Sequence, residues 1–274
     1  MQDEHPTDEN NVSEQAFYLP LDGPDGERFL ATAATEGPWS ADAQHAGPPS
    51  ALLVRAVERC APRPDLQPVR FTFELFGPVP LGELTVHAEV ERTGRAVELV
   101  AAELAADGRT IVRARAWRVA RSDTVAVAGP PAAPLPGPDG VEPQGPLPEH
   151  WTCGYIENVE WRWVKGAWLE PGDGAVWGRP RLPLVAGEEM SPVQRVAVVA
   201  DSGNGISGRL DLREWLYMNT ELTIHLHRPP TGEWVGVDAR TIIGPTGAGL
   251  ATTTLHDPSG PVGQGAQALL VRPR

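Results

Sequence analysis

The chain has 274 residues, enough for one large domain or two small ones at about 150 residues per domain. Its 36 acidic and 23 basic side chains leave a net charge of −13, which disfavours phosphate backbones and anionic lipid surfaces as general partners. Two cysteines, Cys60 and Cys153, are too few for a disulfide framework or a zinc site. The first residues are acidic and lack an apolar core, and no apolar run reaches the ~18 residues of a membrane span. The expectation is a soluble cytoplasmic protein.

Residues 1–15 are polar and acidic and read as a disordered tail. Residues 16–120 and 151–274 read as two structured halves. The stretch between them, 121–150, is rich in Pro, Gly and Ala and reads as a partly extended linker.

In the first half, Gly47-Pro48-Pro49-Ser50 precedes a helix over about 48–60. Proline suits the first helical turn, where the N–H it lacks has no partner anyway. Leu52, Leu53, Ala56, Val57 and Cys60 share one face, with Arg55, Glu58 and Arg59 opposite. Alternating strands follow, as in Phe71-Thr72-Phe73-Glu74-Leu75, joined by turns at Pro80-Leu81-Gly82-Glu83 and Asp107-Gly108.

The second half repeats this plan. Trp151, Trp161, Trp163, Trp168 and Trp177 cluster at its start and suit a core or an interface between the halves, or else the lining of an acyl pocket. Ser191-Pro192-Val193-Gln194 is a capping box opening a nearly all-apolar helix over about 191–202, which Ser202-Gly203-Asn204-Gly205 ends. Strands then run from Asn219, with turns at Pro230-Thr231-Gly232-Glu233 and Asp257-Pro258-Ser259-Gly260. The repeat predicts an α+β fold: twice, one helix and about four antiparallel strands curled around it. Edge-to-edge pairing of the halves would remove exposed edges.

Four stretches carry a resemblance to a known family. These are Trp39 through Gly47-Pro48; Ala200-Asp201; Asn219 through His227-Arg228-Pro229 with Gly232-Glu233-Trp234; and Gly265-Ala266-Gln267-Ala268-Leu269. Over about 20–120 and 155–272 the chain resembles the acyl-CoA thioesterase II family and its thioesterase-like relatives. That resemblance implies a tandem (double) hotdog and hydrolysis of acyl-CoA, with CoA carried by the substrate and no cofactor. Nucleic acid and membrane are not implied partners, and pairing into homo-oligomers is common among hotdog proteins. The family holds one water with an Asp, a Thr or Ser, and a Gln. Carried over, these fall on Asp201, Asn219 and Gln267. Asn219 departs from the family's hydroxyl residue; its amide can orient a water.

Each residue also has a plain structural reading. Asp201 is the only acid after Val196-Ala197-Val198-Val199-Ala200, either a general base or a carboxylate reaching solvent at the helix end. Asn219 begins an alternating strand, on one side with Glu221, Thr223 and His225, and a polar strand entrance is common. Gln267 is either a buried amide needing a partner or an outward residue of a one-sided strand. Gly47 precedes helical N–H groups able to stabilise a thioester oxyanion, or simply makes a tight turn. His45 either lines the site or is a polar loop residue facing water. His225 and His227 lack a third ligand, so no metal site is expected. Arg228 reads as structural. Two rivals remain: a non-catalytic acyl-CoA or lipid binder, favoured by Asn219, and a hotdog hydratase or dehydratase. The second expects a His shortly after the catalytic Asp, which Asp201 lacks; Asp42 and His45 lie on a loop before the helix instead.

Overall fold

A computed structural model describes residues 16–22, 27–129, 132–147, 152–168 and 170–274. The acidic tail 1–15 and Trp151 lie outside the described residues, as do 130–131 and 148–150 of the Pro/Gly/Ala-rich stretch.

The first half opens with β1 (Tyr18–Leu21), β2 (Glu27–Ala31) and a hairpin of β3 (Glu36–Gly37) and β4 (Ser40–Gln44). Helix α1 (Gly47–Arg59) follows, then β5 (Leu66–Leu75), β6 (Glu83–Arg92), β7 (Val97–Ala106) and β8 (Arg109–Ala120). The second half holds α2 (Gly154–Glu157), β9 (Val159–Lys165), β10 (Gly174–Pro180), α3 (Pro192–Ala200) and α4 (Gly203–Ile206). It continues with β11 (Trp215–Asn219), β12 (Glu221–Leu226), β13 (Val235–Ile243), β14 (Ala248–Asp257) and β15 (Gly260–Pro273).

Among the described residues, thirteen strands form one sheet in the order β1-β2-β6-β7-β8-β5-β12-β15-β14-β13-β10-β9, with β11 also on β15. The halves join at β5 and β12, antiparallel, with Phe71 opposite Ile224 and Phe73 opposite Leu222. All four of these side chains are buried, so the seam carries core as well as ladder hydrogen bonds. The free edge at β1 is capped by a parallel stretch of the second half: Leu184 O accepts the Tyr18 N–H and the Ala186 N–H donates to Tyr18 O. The expected architecture, two antiparallel units each with a helix against its strands, is what the chain adopts, with the units joined edge to edge into one sheet. Gly82 and Gly232, at matching turns, both have positive φ, which glycine adopts without strain.

Helix α3 carries the expected capping box: Ser191 Oγ accepts the Gln194 N–H, and Gln194 Oε1 accepts the Ser191 N–H. Helix α1 departs from its expected two-faced pattern. Arg55 is buried rather than solvent-facing, because Glu188 binds its Nε and Nη2 at 2.7 Å and Glu27 its Nη1 at 2.6 Å. The two helices run antiparallel against one another. The α1 N-terminus meets Val198, while near its C-terminus Glu58 accepts from Ser191 Oγ and Gln194 Nε2.

The Pro/Gly/Ala-rich stretch is docked where it is described. Pro136 O accepts the Trp177 indole N–H at 2.7 Å, and Pro138 O accepts from Arg162. Trp161 and Trp177 are core residues, in keeping with the core or interface role expected of the tryptophan cluster. Arg228 is structural: both its terminal nitrogens bond the Asp257 carboxylate at 2.6 Å, and its Nε bonds Pro261 O.

Arg118 on β8 donates to Val57 O, Cys60 O and Ala61 O at the end of α1, and to Glu98 on β7 at 3.0 Å. Both charged side chains are almost fully buried. Arg118→Met leaves the buried Glu98 carboxylate with only the more distant Arg63, 3.8 Å away, and breaking one partner of such a pair costs about 3–5 kcal/mol. Urea unfolding should show that loss, with partial recovery in the Arg118→Met, Glu98→Leu double variant; a midpoint unchanged by Arg118→Met would contradict the assignment.

Candidate functional site

Asp201 caps the C-terminus of α3 and is only 3% exposed. The reading of a carboxylate reaching solvent therefore does not hold. A buried charge needs donors, and three elements supply them. Asn219 Nδ2 at the end of β11 donates to Asp201 Oδ1 at 2.8 Å. Gln267 Nε2 on β15 donates to Asp201 O at 2.9 Å and lies 3.3 Å from Oδ1. His45 Nδ1, just before α1, is 3.2 Å from Oδ2.

Gln267 is 1% exposed and faces inward, against the outward alternative. Its amide is spent at both ends, since Oε1 accepts the Asn204 N–H at 3.0 Å. Gly203 permits this approach: a Cβ there would lie 2.9 Å from Gln267 Oε1 and 2.7 Å from Thr253 Cγ2.

Asn219 corrects a sequence expectation. It ends one strand instead of beginning the next, and it does not share the outward side of Glu221, Thr223 and His225. Asn219 lies opposite Leu269, yet Thr223 lies opposite Ala266, so four residues of one strand face three of the other. This one-residue bulge around Thr220 reverses the alternation and turns Asn219 toward Asp201. Asp42 likewise lies within β4, not on a loop.

His45 and Gly47 come from the first half. Gly47 is the first residue of α1, and a Cβ on it would sit 2.2 Å from Val198 O. Its N lies 3.1 Å from His45 Nδ1. One ring nitrogen cannot both accept from Gly47 and donate to Asp201. The neighbouring carboxylate favours the tautomer with the proton on Nδ1, which releases the Gly47 N–H. The His45 ring stacks on Tyr155, with centroids 3.7 Å apart and planes 5° from parallel. The Tyr155 hydroxyl donates to Val198 O at 2.9 Å and pairs with Ser202 Oγ at 2.8 Å.

Tyr155 and Asn204 are the supports that sequence reasoning missed. Tyr155 sits in a stretch whose sequence signal is its tryptophans, and Asn204 lies among the small polar residues that signal a helix end. The segment after Asp201 is instead a second short helix, α4, which presents the Asn204 N–H to Gln267. His225 and His227 stay exposed on the outer side, and among the described residues no group of three or more His, Cys, Asp or Glu is placed to hold a metal. No helix among them is long and apolar enough to cross a membrane.

Burial lowers the His45 pKa from its ordinary 6.5, and the Asp201 charge opposes that shift. The unfolded chain therefore takes up this proton at higher pH than the folded one. The stability linked to neutral His45 is complete above about pH 6.5 and is lost as pH falls from there through the folded value. His45→Gln should flatten the fall in unfolding free energy between about pH 7 and pH 5, measured by urea titration. An equally steep fall in the variant would count against a buried neutral His45.

The model of the acyl-CoA thioesterase N-terminal domain matches residues 35–119, and that of the acyl-CoA thioesterase C-terminal domain matches 137–271. The fold is similar to a conserved protein of unknown function with a hotdog fold from Alicyclobacillus acidocaldarius, at TM-score 0.72 and 16% identity over 91% of this chain and 95% of that one. It is also similar to acyl-CoA thioesterase II TesB2 from Mycobacterium marinum, at TM-score 0.63 and 18% identity over 90% and 93%. The tesB protein of Mycobacterium avium subsp. paratuberculosis aligns at TM-score 0.65 and 15% identity over 96% and 98%. No curated protein matches the chain. With both domain models matched in order along a tandem hotdog, the chain belongs to the acyl-CoA thioesterase family.

Proposed function

We propose that the protein hydrolyses an acyl-CoA thioester with a water activated by Asp201. The observation that carries this reading is a buried carboxylate gripped by Asn219 and Gln267 from two different strands and facing His45 across the contact between the halves. The other buried carboxylates among the described residues, Glu98, Glu160 and Asp257, each meet an arginine, whereas the half-buried Glu58 is held by Ser191 and Gln194. Asp201 meets amides and an imidazole, which orient it without neutralising it.

In the reaction, the water gives a proton to Asp201 as its oxygen adds to the thioester carbonyl. The Asn219 amide oxygen accepts a hydrogen bond from the water's second O–H, which stays on the attacking oxygen, and so aims the lone pair. Gln267 acts as a positioning residue, because its amide is committed to Asp201 and Asn204. With the His45 proton on Nδ1, the Gly47 N–H is free for the carbonyl oxygen as it becomes an oxyanion, beside the positive end of α1. Collapse breaks the C–S bond, and the thiolate of CoA takes the proton from Asp201. The products are a carboxylic acid and the free thiol.

Asp201→Asn keeps the shape and removes the base, so thiol release should fall about 10²–10⁴-fold. Gln267→Ala should cost less, since the base remains. Asn219→Thr supplies a hydroxyl in place of the amide oxygen and should retain or raise the rate. Circular dichroism controls for folding. Equal rates in wild type and Asp201→Asn would reject the mechanism. Absence of turnover in both wild type and Asn219→Thr, with measurable acyl-CoA binding, would favour a binding protein, the reading to which Asn219 lends itself.

A further inference from the structure

The described residues form two separate apolar clusters. The main one fills the space between sheet and helices and includes Ile156, with Trp168 and Leu147 packed on its margin. The smaller one centres on Tyr217, with Trp39, Leu210 and Leu212 against it. Between the two margins lies a cavity of about 410 Å³, walled on one side by Ile156 and Trp168 and on the other by Trp39, Leu210 and Tyr217. Its remaining walls include Gly205, at the exposed turn of α4.

The position of this cavity follows from the chain. Ile156 adjoins Tyr155, which stacks on His45. Gly205 lies four residues beyond Asp201. Tyr217 precedes Asn219 by two on the same side of β11, and Tyr217 O accepts from Asn204 Nδ2, whose backbone N–H holds Gln267. Trp39 stands on the segment leading to His45 and meets Tyr217 edge to face, with centroids 5.5 Å apart. Four segments thus contribute both to the surroundings of Asp201 and to the cavity wall.

We infer that this cavity receives the acyl group, and that Trp39, Trp168 and Tyr217 restrict it to medium-length or ring-bearing acyl chains; the inference rests on the thioesterase reading above. The lining is mostly apolar and aromatic, with the exposed Glu170, Asp211 and Arg213 as its charged members, and its volume falls at the lower end of the ~300–1,000 Å³ usual for pockets that hold small molecules. At about 30 Å³ per water-sized group, the space corresponds to on the order of fourteen non-hydrogen atoms. An octanoyl or phenylacetyl group fits with room to adjust. A palmitoyl chain overfills it and must leave its end in water, forfeiting burial of its last methylenes.

Gly205 supplies the test. A Cβ built there meets only Trp168 Cζ3, at 3.9 Å, and its φ lies outside the left-handed region, so a side chain can be added without backbone strain. Gly205→Leu fills the cavity from one wall, and Trp39→Ala enlarges it from another. The readout is the ratio of kcat/KM between acyl chains within each protein, which cancels any general loss of activity or folding. Acetyl-, octanoyl-, phenylacetyl- and palmitoyl-CoA form the panel. Gly205→Leu should lower the octanoyl-to-acetyl ratio about tenfold, and Trp39→Ala should raise the palmitoyl-to-octanoyl ratio by a similar factor. Identical chain-length profiles in all three proteins would overturn the cavity as the acyl site. If wild type hydrolyses none of the four, calorimetry with octanoyl-CoA decides between the two readings. Binding that Gly205→Leu weakens keeps the cavity and removes the hydrolase, whereas binding indifferent to Gly205→Leu, or no binding, removes the cavity.

Discussion

Two helices from different halves of the chain touch backbone to backbone, and the candidate site exists because they do. At Gly47 the approach leaves no room for a side chain, since a Cβ would fall 2.2 Å from Val198 O. The helices are antiparallel, so the start of α1 lies against the end of α3. The positive terminus of one helix and the acid that caps the other are thereby brought to the same place. At the opposite end, Glu58 bridges to Ser191 and Gln194, which ties the helices together where no Asp201 counterpart is needed. Burial raises the Glu58 pKa against those hydrogen bonds. Neither half alone could place His45 and Gly47 beside Asp201.

A buried carboxylate is stable only when its lost hydration is replaced, and the manner of replacement separates the acids of this protein. Glu98 and Asp257 meet guanidinium groups and act as structural anchors for α1 and for the His-Arg-Pro turn. Asp201 is held by two amides, with an imidazole near its other oxygen. Those amides are themselves fixed by the backbone. Gln267 is pinned through Asn204 on α4, and Asn219 is turned inward by a strand bulge. The short α4 also lines a cavity through Gly205, so one turn of helix both holds Gln267 and walls that cavity.

Much of the architecture was legible along the chain. Alternation in Phe71–Leu75 and Leu222–Leu226, the paired Gly-Glu turns and the capping box at Ser191 are local patterns, each set by near neighbours. The inward or outward sense of single polar residues was not. Asn219 faces Asp201 because its strand gains a residue relative to β15, and a register slip leaves no local mark in Met-Asn-Thr-Glu. Arg55 looks like a solvent-side helix residue until Glu188, 133 positions away, closes over it. Gln267 was open between inside and outside because Ala266 and Ala268 are compatible with either face.

The sequence by itself determined the repeated helix-and-sheet plan, the α+β class, the family resemblance and the residue types from which a site could be drawn. Those properties rest on periodicity, turn chemistry and capping, whose physical range is a few residues. Tertiary structure alone decided that Asp201 is buried, that His45 of one half faces it, that Gln267 is spent on holding it, and that Trp39, Trp168 and Tyr217 from three distant segments wall one cavity. These depend on how closely α1 and α3 can approach and on where the ladder slips, and both are settled by packing between segments far apart in the chain.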